Sequence, residues 1–412
     1  RALEALAAHA TRPEAGGRTP SDLSLVDVTQ RDIDLWESRY PGAADAWPLA
    51  PLQAGLLYHA LLAEGHSDAY STQVLVHLAG VVDAQRLRAA ADALLGRYPN
   101  LRTAFVASES GIPVQVVVDE VTLPWREVDI RGEDPAVLAD VLRAEQAVAF
   151  DMAEPPLIRF VLVRTGDDSW TLAVTSHHIL LDGWSMPLLM KDLLVLYATR
   201  GDAGVLGRAP SYRAYLEWLA RRDHEASVEA WMHSLDGIEE PTLLAGGNTD
   251  GTGGTPEEHR IDLGRERSDL LSDTATRLGV TVNTVLQGAW AVLLARTTDR
   301  DDVVFGTTVS GRPADLPGVE AMVGLFINTF PVRVRLGAGE TGHDLLRRIQ
   351  GEQAELLDHH HVGLAEIQQR AGTGALFDTL LVYESYPVDR SGIEAAGSID
   401  GLVVAGVNAR DA

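Results

Sequence analysis

Cysteine is absent from all 412 residues, which excludes a thiolate nucleophile, a thiolate metal site and a disulfide framework at the outset. Lysine is almost absent too: Lys191 is the only one, so Schiff-base chemistry and a phosphate-loop lysine have nearly nowhere to sit. No Gly-rich phosphate loop is present. Basic side chains are scarce beside acidic ones, 34 against 59, and the formal net charge is −25. A field of that sign repels phosphate backbones and anionic lipid, so neither nucleic acid nor a membrane is expected as a partner. No apolar run reaches the roughly 18 residues that a membrane span needs, and no secretory-signal layout follows Arg1. A reducing cytoplasm suits such a chain, which reads as a piece of something longer.

What is present is ordinary for a globular protein: 46% hydrophobic and 23% charged residues. At about 150 residues per domain the length predicts two or three folding units, and two lobes are the starting expectation. Residues 1–46 read as a linker or tail of a preceding domain: an Ala-rich helical stretch, a Pro/Gly-containing stretch from Thr11 to Pro20, then Ser21 to Tyr40. Helical spacing follows at Leu52 to Ala63 and Asp83 to Tyr98, with a strand from Ser71 to Leu78 between them. Val114 to Val118 reads as a strand. Ile158 to Val163 and Trp170 to Ser176, separated by Thr165-Gly166-Asp167-Asp168, form a hairpin signal. Met186 to Thr199 is helical, and the pattern breaks at Gly201 to Pro210, which places the lobes at 47–210 and 211–412.

The second half repeats the mixture. Helices are predicted at Tyr212 to Arg222, Ala226 to Leu235, Arg265 to Leu278, Asn283 to Ala295 and Glu340 to Leu357, and strands at Val303 to Thr307, Phe330 to Val334 and Thr379 to Tyr383. Gly246 to Pro256 reads as a loop. Each half therefore mixes strands with helices, as the α/β or α+β class does.

The sharpest local feature is Ser176-His177-His178-Ile179-Leu180-Leu181-Asp182-Gly183-Trp184-Ser185, at the exit of a strand and the start of a helix. Adjacent strand residues point to opposite faces, so one histidine turns inward and the other toward any cleft. A neutral imidazole beside a cleft can accept or orient a proton, and Asp182 can fix the geometry across the turn. Two core-packing histidines are the plain alternative. Consecutive strand residues diverge, which disfavours a metal site, and no helical i, i+4 ligand pair accompanies them. Ser185 lacks the second Gly of a nucleophile elbow. The triplet His359-His360-His361 reads as a helix C-terminal turn where imidazolium favours the dipole.

The string His177 to Gly183 resembles the HHxxxDG motif of nonribosomal peptide synthetase condensation domains, in the superfamily of chloramphenicol acetyltransferase. Further motifs follow the family's order over about 340 residues. Trp47 to His59 resembles its opening motif, and Arg97 to Phe105 its RHxxLRTxF motif, with Tyr98 where His is usual. Tyr212 to Leu219 is similar to its helix after the crossover, Val323 to Thr329 to its GxFxNT stretch, and Leu376 to Leu380 to its late FDT motif.

The resemblance implies two acetyltransferase-like α/β lobes in a V-shaped pseudo-dimer with a central tunnel. It implies peptide-bond formation between a donor acyl or peptidyl thioester and the α-amine of an acceptor aminoacyl thioester, both on peptidyl carrier domains. The catalytic set would be His178, His177, Asp182 and Gly183, with His178 orienting the amine and Gly183 leaving room for the donor arm. Asp182 would pair with an arginine, Arg312 first and Arg102 second; Trp184, Ser185 and Asn328 would support the site. No cofactor or metal is bound by the domain itself, and phosphopantetheine arms come with the carriers. Adenylation and, upstream, epimerization domains are the expected neighbours.

Thr19 to Val26 resembles the tail of an epimerization domain, and with Pro51-Leu52-Gln53 and Asp182-Gly183-Trp184 it points to the subtype taking a D-configured donor and an L-configured acceptor. The family continues beyond Val403 to Val407 through further strands and a closing helix, so the second lobe is expected to be incomplete at its end. Three alternatives share parts of the pattern: an epimerization domain, which carries Ser-Trp after the Gly where this chain has Trp184-Ser185; an acyltransferase using a soluble thioester; and a carrier-docking recruitment domain without catalysis, against which the intact His178 argues.

Overall fold

The computed structural model describes residues 17–62, 70–245, 257–372, 374–384 and 399–410, with a few residues before 17. The Ala-rich stretch at the start, most of the Thr11 to Pro20 stretch and the Gly246 to Pro256 loop lie outside the described residues. In chain order the elements are α1 (Gln30–Arg39), β1 (Ala43–Pro48), α2 (Pro51–Leu62), β2 (Ser71–Gly80), α3 (Ala84–Arg97), β3 (Thr103–Ala107), β4 (Pro113–Val118), β5 (Trp125–Asp129) and α4 (Ala136–Gln146). Then come β6 (Ile158–Arg164), β7 (Ser169–His177), α5 (Ser185–Ala198), α6 (Tyr212–Ala220), α7 (His224–Leu235), α8 (Gly264–Leu278) and α9 (Val282–Thr298). The remainder are β8 (Asp302–Val309), β9 (Asn328–Arg335), α10 (Gly342–Glu355), α11 (Leu364–Ala371), β10 (Leu380–Leu381) and β11 (Leu402–Arg410).

The chain forms two compact units. The first runs through Arg221 and also takes Pro313–Leu325 and the stretch carrying β11; the second takes Arg222–Arg312 and the stretch from Phe326 to β10. This corrects the expectation of two contiguous lobes parted near residue 210: helix α6 stays with the first unit, and two later segments return to it.

In the first unit a five-stranded sheet has the order β11-β2-β7-β6-β5, and a three-stranded sheet the order β1-β4-β3. Strands β6 and β7 form the hairpin that the Thr165–Asp168 turn predicts, and β5 adds to β6 in parallel. Helix α3 starts where Asp83 accepts the Arg86 N–H at 3.0 Å. It then buries Leu87, Ala90, Ala91, Leu94 and Leu95, one face at i, i+3, i+4 spacing. Tyr98, in the motif position where histidine is usual, is buried and donates to Asp192 of α5 at 2.6 Å. Arg97 reaches the same carboxylate at 2.7 Å. Burial, followed by the Asp192 hydrogen bond, pushes the Tyr98 phenol up to about 12.

The segment read as a linker proves to be packed structure from about residue 18 onward. Thr29 and Asp32 form a capping box at the start of α1. Leu23, Ile33, Trp36 and Tyr40 then join one core cluster with Val114 and Val116 of β4.

The second unit has a sheet of order β10-β8-β9, with β8 antiparallel to β9 and parallel to β10. Its core gathers Trp231 of α7, Leu294 of α9, Phe305 of β8, Phe330 of β9, Ile349 of α10 and Ile367 of α11. The strand expected over Thr379 to Tyr383 is reduced to two residues. Asp378 of the FDT motif accepts the N–H groups of Leu244 at 2.9 Å and Ala245 at 2.7 Å, while the Phe377 ring lies against Gly306 of β8. That motif therefore fastens the 242–245 segment to the sheet. Among the described residues no single helix is long and apolar enough to cross a membrane.

Candidate active site

The HHxxxDG string lies wholly in the first unit, at the end of β7. Ser71 pairs with His177 across β2 and β7, and the next hydrogen bond of that ladder is His178 N–H to the Tyr70 carbonyl at 2.8 Å. The chain then turns tightly: Leu180 N–H closes onto the His177 carbonyl at 3.1 Å, and Ile179 N–H donates to His177 Nδ1 at 3.0 Å. His177 is fully buried, with the Phe150 ring edge-on at 6.4 Å and the Tyr70 ring at 6.5 Å. Because its Nδ1 accepts a backbone hydrogen bond, the neutral ring carries its proton on Nε2. His177 thus holds the turn.

His178 is half-buried, one residue beyond the strand. Its Nδ1 is buried and takes no hydrogen bond among the described residues. The division between the two histidines follows the alternation expected of a strand, with the inward ring structural and the next ring left available for chemistry.

Asp182 is also buried, and its Oδ1 accepts the N–H of Ser185 at 2.9 Å and lies 2.7 Å from the Ser185 hydroxyl. This carboxylate therefore caps the first turn of α5. Ser185 Oγ accepts the Gly324 N–H at 3.0 Å, and the Gly324 carbonyl accepts the Asp182 N–H at 3.1 Å. Gly183 and Trp184 are half-buried between these anchors, and the Trp184 indole donates to the Glu320 carbonyl at 2.9 Å. The loop that opens α5 is thereby stitched to Pro313–Leu325, the segment that returns to the first unit.

The arginine and asparagine side chains singled out in the sequence are each engaged. Arg102 directs its guanidinium at the carbonyls of Leu95, Val118 and Asp119, so it is not the partner of Asp182; burial at the β3–β4 corner suits it to carbonyls rather than to that carboxylate. Arg312 belongs to the second unit, with its guanidinium 3.9 Å over the Phe326 ring. Asn328, at the start of β9, donates to the carbonyls of His360 at 2.8 Å and Val362 at 2.7 Å. It pins a turn of the second unit.

That turn carries the histidine triplet, where the helix-dipole expectation fails. Helix α10 ends at Glu355 and a short 3-10 turn, Leu357–His359, intervenes. His360 stacks on Phe330 at 4.4 Å, and burial lowers its pKa to about 4; burial lowers that of His361 as well. Near neutral pH His360 is an uncharged, partly buried ring stacked on Phe330. Among the described residues no three His, Asp or Glu side chains gather as metal ligands.

Sequence reasoning missed two contributors to the turn, Gln53 and Asn100, whose amides donate to the carbonyls of Ile179 at 2.8 Å and Leu180 at 3.4 Å. Both stand inside motifs noticed for their order. A polar residue in an otherwise apolar stretch, such as Gln53 in Pro51-Leu52-Gln53-Ala54-Gly55-Leu56, was the available signal.

A family model described as "Condensation domain" matches residues 43–403. A linear gramicidin synthase of Brevibacillus parabrevis is 36% identical over 403 residues, 95% of this chain and 5% of that protein. Bacitracin synthase 3 of Bacillus licheniformis is 32% identical over 422 residues, 99% of this chain and 7% of that protein. The chain thus spans a small fraction of the length of these relatives. Among solved structures, the first condensation domain of the CDA synthetase is similar with a TM-score of 0.67 at 22% identity, over 90% of this chain and 85% of that one. The first condensation domain of the calcium-dependent antibiotic synthetase with a bound substrate analogue gives 0.67 at 21% identity, over 88% and 83%. The fold is accordingly the chloramphenicol-acetyltransferase-like fold of those domains, and the ordered motifs, the HHxxxDG turn and the family match agree: the chain belongs to the condensation-domain family, the peptide-bond-forming domains of nonribosomal peptide synthetases.

Proposed function

We propose that this chain acts as an amide-forming acyltransferase on two tethered thioesters. The acceptor's α-amine attacks the donor thioester carbonyl; the N–C bond forms, the C–S bond breaks, and the proton lost by nitrogen goes to the departing thiolate of the donor carrier. Both substrates ride on phosphopantetheine arms of peptidyl carrier domains, with adenylation domains as further neighbours and a cytoplasmic setting. The observation that carries this reading is His178: a half-buried imidazole on a turn held by backbone hydrogen bonds, with Nδ1 uncommitted among the described residues.

A thioester is already activated, so alignment outweighs proton transfer. Holding amine and thioester in a near-attack geometry contributes roughly 7–11 kcal/mol, against roughly 3–5 kcal/mol for a general base worth about 10² to 10⁴ in rate. His178 orients the amine and assists its loss of a proton. Asp182 acts through the backbone by fixing the start of α5, and Gly183 leaves space for the donor arm.

The test is reconstitution with matched loaded carriers, followed by intact-protein mass spectrometry for the elongated thioester. Elongation that requires both carriers is the expected result; equal turnover of soluble thioesters would favour a freestanding acyltransferase. The same assay, run with D- and L-epimers of one donor, addresses the D-donor subtype suggested by Thr19 to Val26. Preference for the L-donor ends that assignment.

A further inference from the structure

We propose that Gln53 is a positioning residue for His178, acting through the Ile179 carbonyl. The proposal rests on the role given to His178 above. Gln53 lies in the first turn of α2, is 1% exposed, and uses its whole carboxamide. Its Oε1 accepts the Ala50 N–H at 2.8 Å and the Gln115 amide at 3.0 Å, while its Nε2 donates to the Ile179 carbonyl at 2.8 Å and to Gln115 Oε1 at 3.2 Å. The orientation of the amide is not arbitrary, since Ala50 offers only a donor and Ile179 only an acceptor. Gln115 is itself fully buried and donates to the Pro48 carbonyl at 2.8 Å, so the pair of amides is anchored on β4 and β1.

The turn around His178 is held from two sides. Strand β2 takes the His178 N–H through Tyr70, and His177 takes the Ile179 N–H. Both lie on the strand side. Gln53 approaches from α2 and supplies the Ile179 carbonyl with its only side-chain donor among the described residues. Ile179 is fully buried, so without Gln53 its carbonyl would be stranded away from water and the turn would shift to recover a partner. Because the imidazole is attached one residue earlier, that shift displaces the ring from the approaching amine, and alignment is the larger catalytic contribution.

The experiment is a double-mutant cycle in the carrier-loaded assay, comparing wild type, Gln53→Leu, His178→Ala and the double variant, with kcat and carrier KM measured separately. Gln53→Leu should lower the rate about 10- to 100-fold with carrier KM unchanged, and should have little further effect once His178 is alanine. Gln73→Leu removes another buried amide, bonded to Thr175 and the Leu142 carbonyl, and should lower the melting temperature while keeping the rate. Should Gln53→Leu fail to fold, Gln53→Glu keeps the acceptor for Ala50 and loses the amide donor to Ile179. Equal fold-losses in the wild-type and His178→Ala backgrounds, or a rate effect no larger than that of Gln73→Leu, would overturn the proposal. A wild-type rate from His178→Ala alone would overturn the reading of His178 on which it rests.

Discussion

At the scale of single residues, histidines in this chain are sorted by what surrounds the ring. His177 accepts a backbone N–H and is a strut, His178 keeps Nδ1 uncommitted among the described residues, and His360 is a partly buried ring stacked on Phe330. The last has a consequence for pH. An unfolded histidine protonates near 6.5, whereas burial holds His360 neutral down to about 4. Between those values the unfolded chain binds the extra proton, so stability is complete above about pH 6.5 and falls as the pH drops toward 4. The loss from this residue is on the order of 2–3 kcal/mol. Denaturant midpoints followed from pH 7.5 to 4.5 should show that decline, and His360→Phe should flatten it; an unchanged slope in the variant would contradict the assignment.

At the scale of elements, the turn that precedes α5 depends on a segment far along the chain. Gly324 exchanges hydrogen bonds with Asp182 and Ser185, and its position against Tyr212 leaves no room for a side chain: a Cβ there would lie 2.2 Å from the ring. Tyr212 cannot yield easily, being 2% exposed and bonded to the Leu325 carbonyl at 2.7 Å. Gly324→Ala should therefore cost about 1–3 kcal/mol in thermal or denaturant unfolding and slow condensation through the displaced α5 start. Retention of both stability and rate would show that the loop is not held as described.

Much of this was legible in the sequence. The α3 face, the β6–β7 hairpin and the start of α5 each follow from local periodicity and turn residues, and the two-histidine motif marked the turn between β7 and α5. What could not be read were the long-range partners. Nothing local says that Asp182 caps α5, that Gly324 comes back to meet it, or that Arg102 spends its donors on carbonyls. The leading segment was misread for a related reason: Leu23, Ile33 and Trp36 look sparse alone and become a core face only when β4 lies against them.

At the scale of the whole molecule, an acidic chain with no cysteine and one lysine folds into two α/β units and belongs to the condensation-domain family, and the function proposed for it begins from an already activated thioester. The most direct test is the condensation rate of His178→Ala against wild type on the same loaded carriers, with folding checked by circular dichroism. A fall of about 10² to 10⁴ in elongated thioester per unit time, with carrier binding retained, is the expected outcome. Equal rates from the two proteins would contradict the account.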